Sequence, residues 1–323
     1  MKIRHLLLIS AAVLFCSASM YATTASHTWV SGSGSDSNTC TFASPCATFT
    51  GALAKTSAYG IITAKDAGDF GAVSIAQSVT IDGANMGSIT FTGGNGIYIT
   101  ASVKVTVQNL TINGMGSGNY GIAVENGGTV IVDNCRIMNI TIDGIAFAGA
   151  GNLTVENSRI ESLISGEAYS IEIGGNASQN VVVRNTVIDV SPVSEGNSGF
   201  TVDPGNGPVQ ASLQNVIIMG AGEYAVLIQT GITQITGSVI TQSVTGVAAA
   251  SGATISVASS LITANTTGVC SSASSKIRID NNDIYDNATA IGNCGGIVKT
   301  SGTNKTSGTI AVTAADISES VTF

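Results

Sequence analysis

Ile235-Thr236-Gly237 with Ile240, Val257-Ala258-Ser259 with Ile262, and Ile279-Asp280-Asn281 with Ile284 are three copies of one pattern, spaced 22 residues apart. An aliphatic residue leads, a small or polar residue stands two places on, and a second aliphatic follows three places later. Upstream the pattern returns at Leu213-Gln214-Asn215 with Ile218, Val183-Arg184-Asn185 with Ile188, and Val155-Glu156-Asn157 with Ile160. It returns again at Val132-Asp133-Asn134 with Ile137 and Val107-Gln108-Asn109 with Ile112. From 109 to 281 the steps between equivalent positions are 25, 23, 28, 30, 22, 22 and 22. A second strand runs in phase, as Gly96-Ile97-Tyr98-Ile99, Gly121-Ile122-Ala123-Val124, Gly144-Ile145-Ala146-Phe147 and Ser170-Ile171-Glu172-Ile173, and continues through Gly199-Phe200 to Ala290-Ile291.

A short strand that alternates Val-x-Val buries one face and has nothing of its own to bury it against. Stacked copies supply the missing core, because each strand can hydrogen-bond its equivalent in the next coil about 4.8 Å away. The repeat therefore predicts an all-β chain, a single right-handed parallel β-helix with a short N-terminal capping helix. A leucine-rich repeat shares the period but requires Leu at fixed sites and a helical segment per unit; here the sites are Val and Ile. Stacking also aligns Asn109, Asn134, Asn157, Asn185, Asn215 and Asn281. The expectation is a buried, inward-facing Asn ladder whose amides bond one another, avoiding unpaired polar groups.

Composition agrees. Hydrophobic residues make up 44% of the 323 residues and charged residues only 10%, with 39 Gly and 4 Pro, which excludes a disordered chain. A net charge of −8 without a basic run beyond the first residues argues against nucleic acid or anionic membrane as partner. Lys2, Arg4 and His5 followed by apolar Leu6 to Ala18 read as a signal peptide, cleaved after Ala18, Ala22 or Ala25. The mature chain is expected to be secreted, extracellular or periplasmic, without membrane insertion, and monomeric. After cleavage five cysteines remain and His27 is the one histidine of the two that is kept, which argues against histidine catalysis and most transition-metal sites.

Cys40 and Cys46 flank a Pro-containing turn and are expected to be bonded. Cys270 and Cys294 occupy neighbouring coils with a two-residue offset, near the upper limit for a disulfide, which leaves both the bonded and the free state open. Cys135 is expected to be free. The expected organisation is a leader over 1–25, an N-terminal cap over 26–71 with a helix from Thr48 to Ser57, the β-helix over 72–299 in nine or ten coils, and a C-terminal cap or tail over 300–323.

Trp29-Val30-Ser31-Gly32-Ser33-Gly34-Ser35-Asp36, the Cys40/Cys46 pair, Thr48-Phe49 with Ala52, and Asp66 to Gly71 resemble the opening of secreted bacterial right-handed β-helix proteins of the pectin-lyase-like superfamily. The opening covers about residues 28–83 and the coils carry the similarity to about residue 299. That superfamily holds lyases, hydrolases, epimerases, esterases, adhesins and members without known activity, so the resemblance implies the fold and not a reaction. Its enzymes act mostly on acidic polysaccharides, and none of their catalytic signatures transfers to this chain residue by residue.

No catalytic residue is assigned, and no metal or cofactor is expected. Calcium enters only under the alternative of a lyase or glycoside hydrolase acting on uronic-acid polymers. The leading expectation is a non-enzymatic protein that binds an extracellular glycan or surface. Glu125, Glu172 and Asp203 are the acids on or near the second strand, with Glu223 nearby. Asp133 with Arg136 and Glu156 with Arg159 recur in the same slots and read as solvated surface pairs. Asp66 and Asp69 read as turn residues. Tyr120, Tyr169 and Tyr224 each stand directly before the second strand, in alternate coils, with Asp143 and Ser198 between them. The rings either form a sugar platform or cover turn backbone.

Overall fold

The computed structural model describes residues 24–164, 166–191, 195–203, 205 and 207–311. Residues 1–23 of the expected signal peptide lie outside the described residues. Within them the chain winds as a parallel solenoid. One sheet has twelve strands, from Ala25–Val30 and Thr56–Ala64 through Val79–Asp82 to Ile297–Thr300, so ten of the twelve follow residue 72. The second strand and a short strand before it, such as Val187–Asp189, Val239–Thr241 and Leu261–Thr263, form the rest of the wall.

The registers show why the repeat has its residue types. Val105, Val130, Leu153, Val181, Ala211, Thr233, Ile255 and Ile277 stack as direct partners. Val107 through Ile279 do the same two positions on, and all of these side chains are buried. The Gly that opens many second strands is a spatial requirement: a Cβ on Gly144 would lie 2.6 Å from both Ile160 Cγ2 and the Ser170 carbonyl oxygen. The corner leaves room only for hydrogen.

The Asn line needs correction. Asn109, Asn134, Asn157, Asn185, Asn215 and Asn281 all adopt φ between 50° and 55°, the left-handed conformation that Asn tolerates best after Gly. Their side chains lie on the outer surface: Asn109 is half-buried and the others are exposed. They bond along the stack, Asn134 to Asn109 at 2.8 Å and Asn185 to Asn157 at 3.4 Å, but outside the core. The inward position is the next residue. Its occupants Leu110, Cys135, Ser158, Thr186, Val216, Ser238, Ser260 and Asn282 are at most 5% exposed. Turn geometry, not core satisfaction, selects the Asn.

Two inward ladders are built from other residues. In the first, Ser238, Ser260, Asn282 and Asn304 each accept from the backbone N–H of the matching residue one coil earlier, at 2.9–3.2 Å. In the second, Ser243, Asn265 and Asn287 do so from Ala221, Ser243 and Asn265.

The capping helix is shorter than expected. It spans Phe49–Leu53, with Thr48 Oγ1 accepting from the Gly51 N–H at its start, and Thr56 already begins a strand. Phe49 and Ala52 close the first coil, with Phe49 against Phe70. Cys40 is bonded to Cys46, and Cys270 to Cys294 across Cα atoms 5.8 Å apart. Cys270 faces Gly292 and Cys294 faces Ser272, so the bond spans the two-residue offset. Cys135 is free and buried, and burial pushes its thiol up to about 12. Lys305–Thr306 and Thr309–Ile310 pair with the preceding coil and carry the winding past residue 299. No helix among the described residues is long and apolar enough to cross a membrane.

Candidate functional site

The turns that lead into the second strand differ in length along the stack. Ile240 to Val247, Ile262 to Val269 and Ile284 to Ile291 are each 7 residues apart, whereas Ile160 to Ile171 is 11 and Ile188 to Phe200 is 12. The long turns fall in the coils that carry most of the chemistry.

Tyr120, Asp143, Tyr169 and Ser198 are successive Cα partners on the second strand, and the Tyr224 N–H reaches Ser198 Oγ at 3.4 Å. The three tyrosines are half-buried. Three residues further along the strand, Ala146, Glu172, Thr201 and Leu227 are partners, and Asp203 lies two places beyond Thr201. Because Ile171, Ile173, Phe200 and Val202 point into the core, Glu172, Thr201 and Asp203 share the outer side.

The carboxyl groups of Asp143, Glu172 and Asp203 touch. Glu172 hydrogen-bonds Asp143 on one side and Asp203 on the other. Adjacent carboxylates repel, so carboxyls this close favour a shared proton over full ionisation. Burial is the largest cause for each. It lifts Asp143 to about 6, against the Tyr169 N–H that donates to its carboxylate. Burial and then the Asp143 charge lift Glu172 to about 7. Burial and then the contact with Glu172 lift Asp203 to about 6. The same acids, after burial, push the Tyr120 and Tyr169 hydroxyls upward, while Glu223 does so for Tyr224.

Sequence reasoning named Glu172, Asp203 and the three tyrosines, but placed Asp143 only as a spacer in the tyrosine slot. The slot itself was the missed signal, since an acid between two tyrosines on a strand that also carries Glu172 one coil on is a pair of acids in reach. Glu125 does not join them. It is exposed, accepts from Tyr98 Oη at 2.5 Å, and its slot is three coils from that of Asp203, about 14 Å. Asp133 with Arg136 and Glu156 with Arg159 are not pairs. Arg136 and Arg159 both bind the buried Glu161, Arg159 also binds Asp189, and Glu156 binds Arg184. The slots recur, but neighbouring coils supply the partners. Asp66 accepts from Ser31 Oγ and the Gly32 N–H, and Asp69 from the Gly71 N–H and the Thr90 N–H, so both hold turns together.

A groove of about 420 Å³ runs along the outer Asn line beside Arg136 and Arg159. Asn109, Asn134, Asn157 and Asn185 already bond along the stack there and both arginines are paired, so the groove offers less free chemistry than the carboxyl row. No group of three or more His, Cys, Asp or Glu among the described residues is arranged to hold a metal ion.

With this geometry established, the chain is a parallel β-helix with a carboxyl–tyrosine row on its second strand. It belongs to the right-handed β-helix family, whose model matches residues 47–207 and 198–317. No curated protein matches it in sequence. Among solved structures it is similar to pectate lyase Pel9A, at 15% identity and a TM-score of 0.69 over 91% of this chain and 83% of that one. At that identity the likeness is one of fold. Weaker likenesses are to a GH87 alpha-1,3-glucanase catalytic unit from Streptomyces thermodiastaticus, with 14% identity, 85% and 67% coverage and a TM-score of 0.41. The Azotobacter vinelandii mannuronan C-5 epimerase AlgE6 A-module gives 12%, 77%, 86% and 0.45.

Proposed function

We propose that the chain is a secreted glycan-binding β-helix that holds an extended polysaccharide along the row from Tyr120 to Tyr224. The observation that carries this reading is the row itself: tyrosines in alternate coils, with the carboxyl groups of Asp143, Glu172 and Asp203 in series beside them. Alternate coils are about 10 Å apart, near the length of two sugar units, and a half-buried ring offers an apolar face with a hydroxyl edge. The two disulfides suit an oxidising compartment. An acid row without a basic neighbour disfavours uronic-acid polymers, which it would repel. Among the described residues no basic side chain acts on the row to abstract a proton as a lyase's base does.

A second reading, glycoside hydrolysis, has one observation in its favour. Glu172 and its neighbours hold protons near neutrality, as a general acid must. A glycan array and a reducing-end release assay, run on the wild type and on a triple Tyr120→Ala, Tyr169→Ala, Tyr224→Ala variant, test both. Binding that the triple variant loses while its melting temperature is kept supports the platform. Binding that persists, or a variant that melts earlier without binding loss, overturns it. Product release abolished by Glu172→Gln establishes the hydrolase.

A further inference from the structure

The row contains one polar group that its own neighbours leave unanswered. Thr201 is fully buried, and its hydroxyl has no hydrogen-bond partner. It stands beside Glu172 in register and two residues before Asp203, between the core residues Phe200 and Val202, so its side chain faces the carboxyl row. A buried hydroxyl without a partner costs free energy unless something arrives to bond it. The charges around it are of one sign. Asp143, Glu172, Asp203 and Glu223 are the charged groups felt across the row, and Tyr120, Tyr169 and Tyr224 are the other titratable groups facing it. The arginines in these coils are engaged elsewhere, Arg159 by Glu161 and Asp189, and Arg184 by Glu156.

We propose that this row is a subsite for an ammonium group, and that the polysaccharide the chain binds carries free amino groups, as a deacetylated hexosamine polymer does. The inference rests on the glycan-binding reading and names its substrate class. An ammonium group has three N–H donors. The carboxylates of Glu172 and Asp203, with the buried hydroxyl of Thr201 beneath them on the same side of the strand, are three acceptors. The carboxyls run in series across three coils rather than round a point, which suits a chain of spaced cations better than a single metal ion. In the unliganded protein, protons held by the row of Asp143, Glu172 and Asp203 take the place of the cation. Binding an ammonium group removes the need for them. The carboxyl O–H bonds ionise and their protons pass to solvent as N–H···O hydrogen bonds form, and no other covalent bond changes.

The test compares a glucosamine oligomer with its fully N-acetylated counterpart of equal length, by titration calorimetry at pH 6 in two buffers of different ionisation enthalpy. The expected result is at least tenfold tighter binding of the glucosamine oligomer, with a buffer-dependent heat that reports proton release. Thr201→Val leaves every charge in place and is expected to weaken glucosamine binding several-fold. Glu172→Gln is expected to abolish the buffer dependence. Equal affinity for the two oligomers overturns the amino-sugar assignment while leaving glycan binding intact. Failure of both oligomers, and of every other glycan on the array, overturns the parent reading as well. Tighter glucosamine binding that neither variant alters indicates attraction by the protein's net negative charge alone, and this too overturns the subsite. So does a calcium titration showing saturable binding lost in Glu172→Gln, if the two oligomers bind alike.

Discussion

The coils after residue 215 and those between residues 134 and 215 are built from one pattern and differ in regularity. In the C-terminal coils the step is a constant 22 residues, against 23, 28 and 30 in the middle. The regular coils hold two continuous inward ladders, Ser238 to Asn304 and Ser243 to Asn287. The middle coils hold unpartnered buried groups on Ser170, Gln179, Asn197 and Thr201; Thr233 and Ser271 are the counterparts in the regular half. The middle coils also hold the carboxyls that share protons. Where stacking alone sets the sequence, fewer buried polar atoms are left without a partner, two against four. Where the turns lengthen, pairing is relaxed and titratable groups collect, the pattern expected of a working surface.

The largest effect that would sharpen this contrast lies in the regular half. Asn265 is 3% exposed, accepts from the Ser243 N–H at 3.0 Å, and donates to the Ile240 carbonyl at 3.2 Å and to Asn287 at 3.0 Å. Asn265→Ala strands a buried N–H and a buried carbonyl and is expected to destabilise by about 2–4 kcal/mol in urea unfolding. Gly144→Ala, in the irregular half, forces a methyl to within 2.6 Å of backbone and side-chain atoms of its neighbours. About 1–3 kcal/mol is expected there. A loss under ~0.5 kcal/mol at either site would mean that the stack yields locally and that the contrast is overstated.

The acid row distinguishes the halves by pH. Asp143 and Asp203 titrate near 6 and Glu172 near 7, above their ordinary values of 3.8, 3.8 and 4.5. The folded state therefore binds protons more tightly than the unfolded chain. Its stabilisation is complete below about pH 4 and is lost as pH rises through 6 to 7. Solvent screening of the partly open Glu172 and Asp203 reduces the effect to on the order of 1–2 kcal/mol. Unfolding free energies measured from pH 5 to pH 8 are expected to fall in the wild type and to stay flatter in Glu172→Gln. A rise with pH in this window would refute the proton-sharing geometry.

The coil register was legible in the sequence because burial repeats with it: Val105 to Ile277 and Val107 to Ile279 had to align once the pattern was seen. The tyrosine slot was legible for the same reason, since it is fixed by its distance from the strand. The direction of the Asn side chains was not. A residue two places after a buried Val reads as inward by alternation, but the chain turns there, and a left-handed residue breaks the period. The meeting of Asp143, Glu172 and Asp203 was also hidden. It depends on three coils of unequal length and on acids offset by three and then two positions along the strand, a relation that only the stacked registers bring into view.

The smallest expected effect tests the corrected Asn line. Asn215 is exposed, has φ 53°, and makes one 3.4 Å bond to Asn185. In the next coil the same slot is Gly237, at φ 60°. If the slot requires only a left-handed turn, Gly should serve as well as Asn. Asn215→Gly removes one weak, solvated hydrogen bond and relieves whatever strain a side chain brings to positive φ. The change in unfolding free energy should lie within ~0.5 kcal/mol of zero. An inward ladder amide at this position would behave like Asn265, and its loss would be several times larger. Urea unfolding of Asn215→Gly beside Asn265→Ala therefore asks which of the two lines holds the solenoid together. A cost at position 215 comparable to that at 265 would return the outer line to the core.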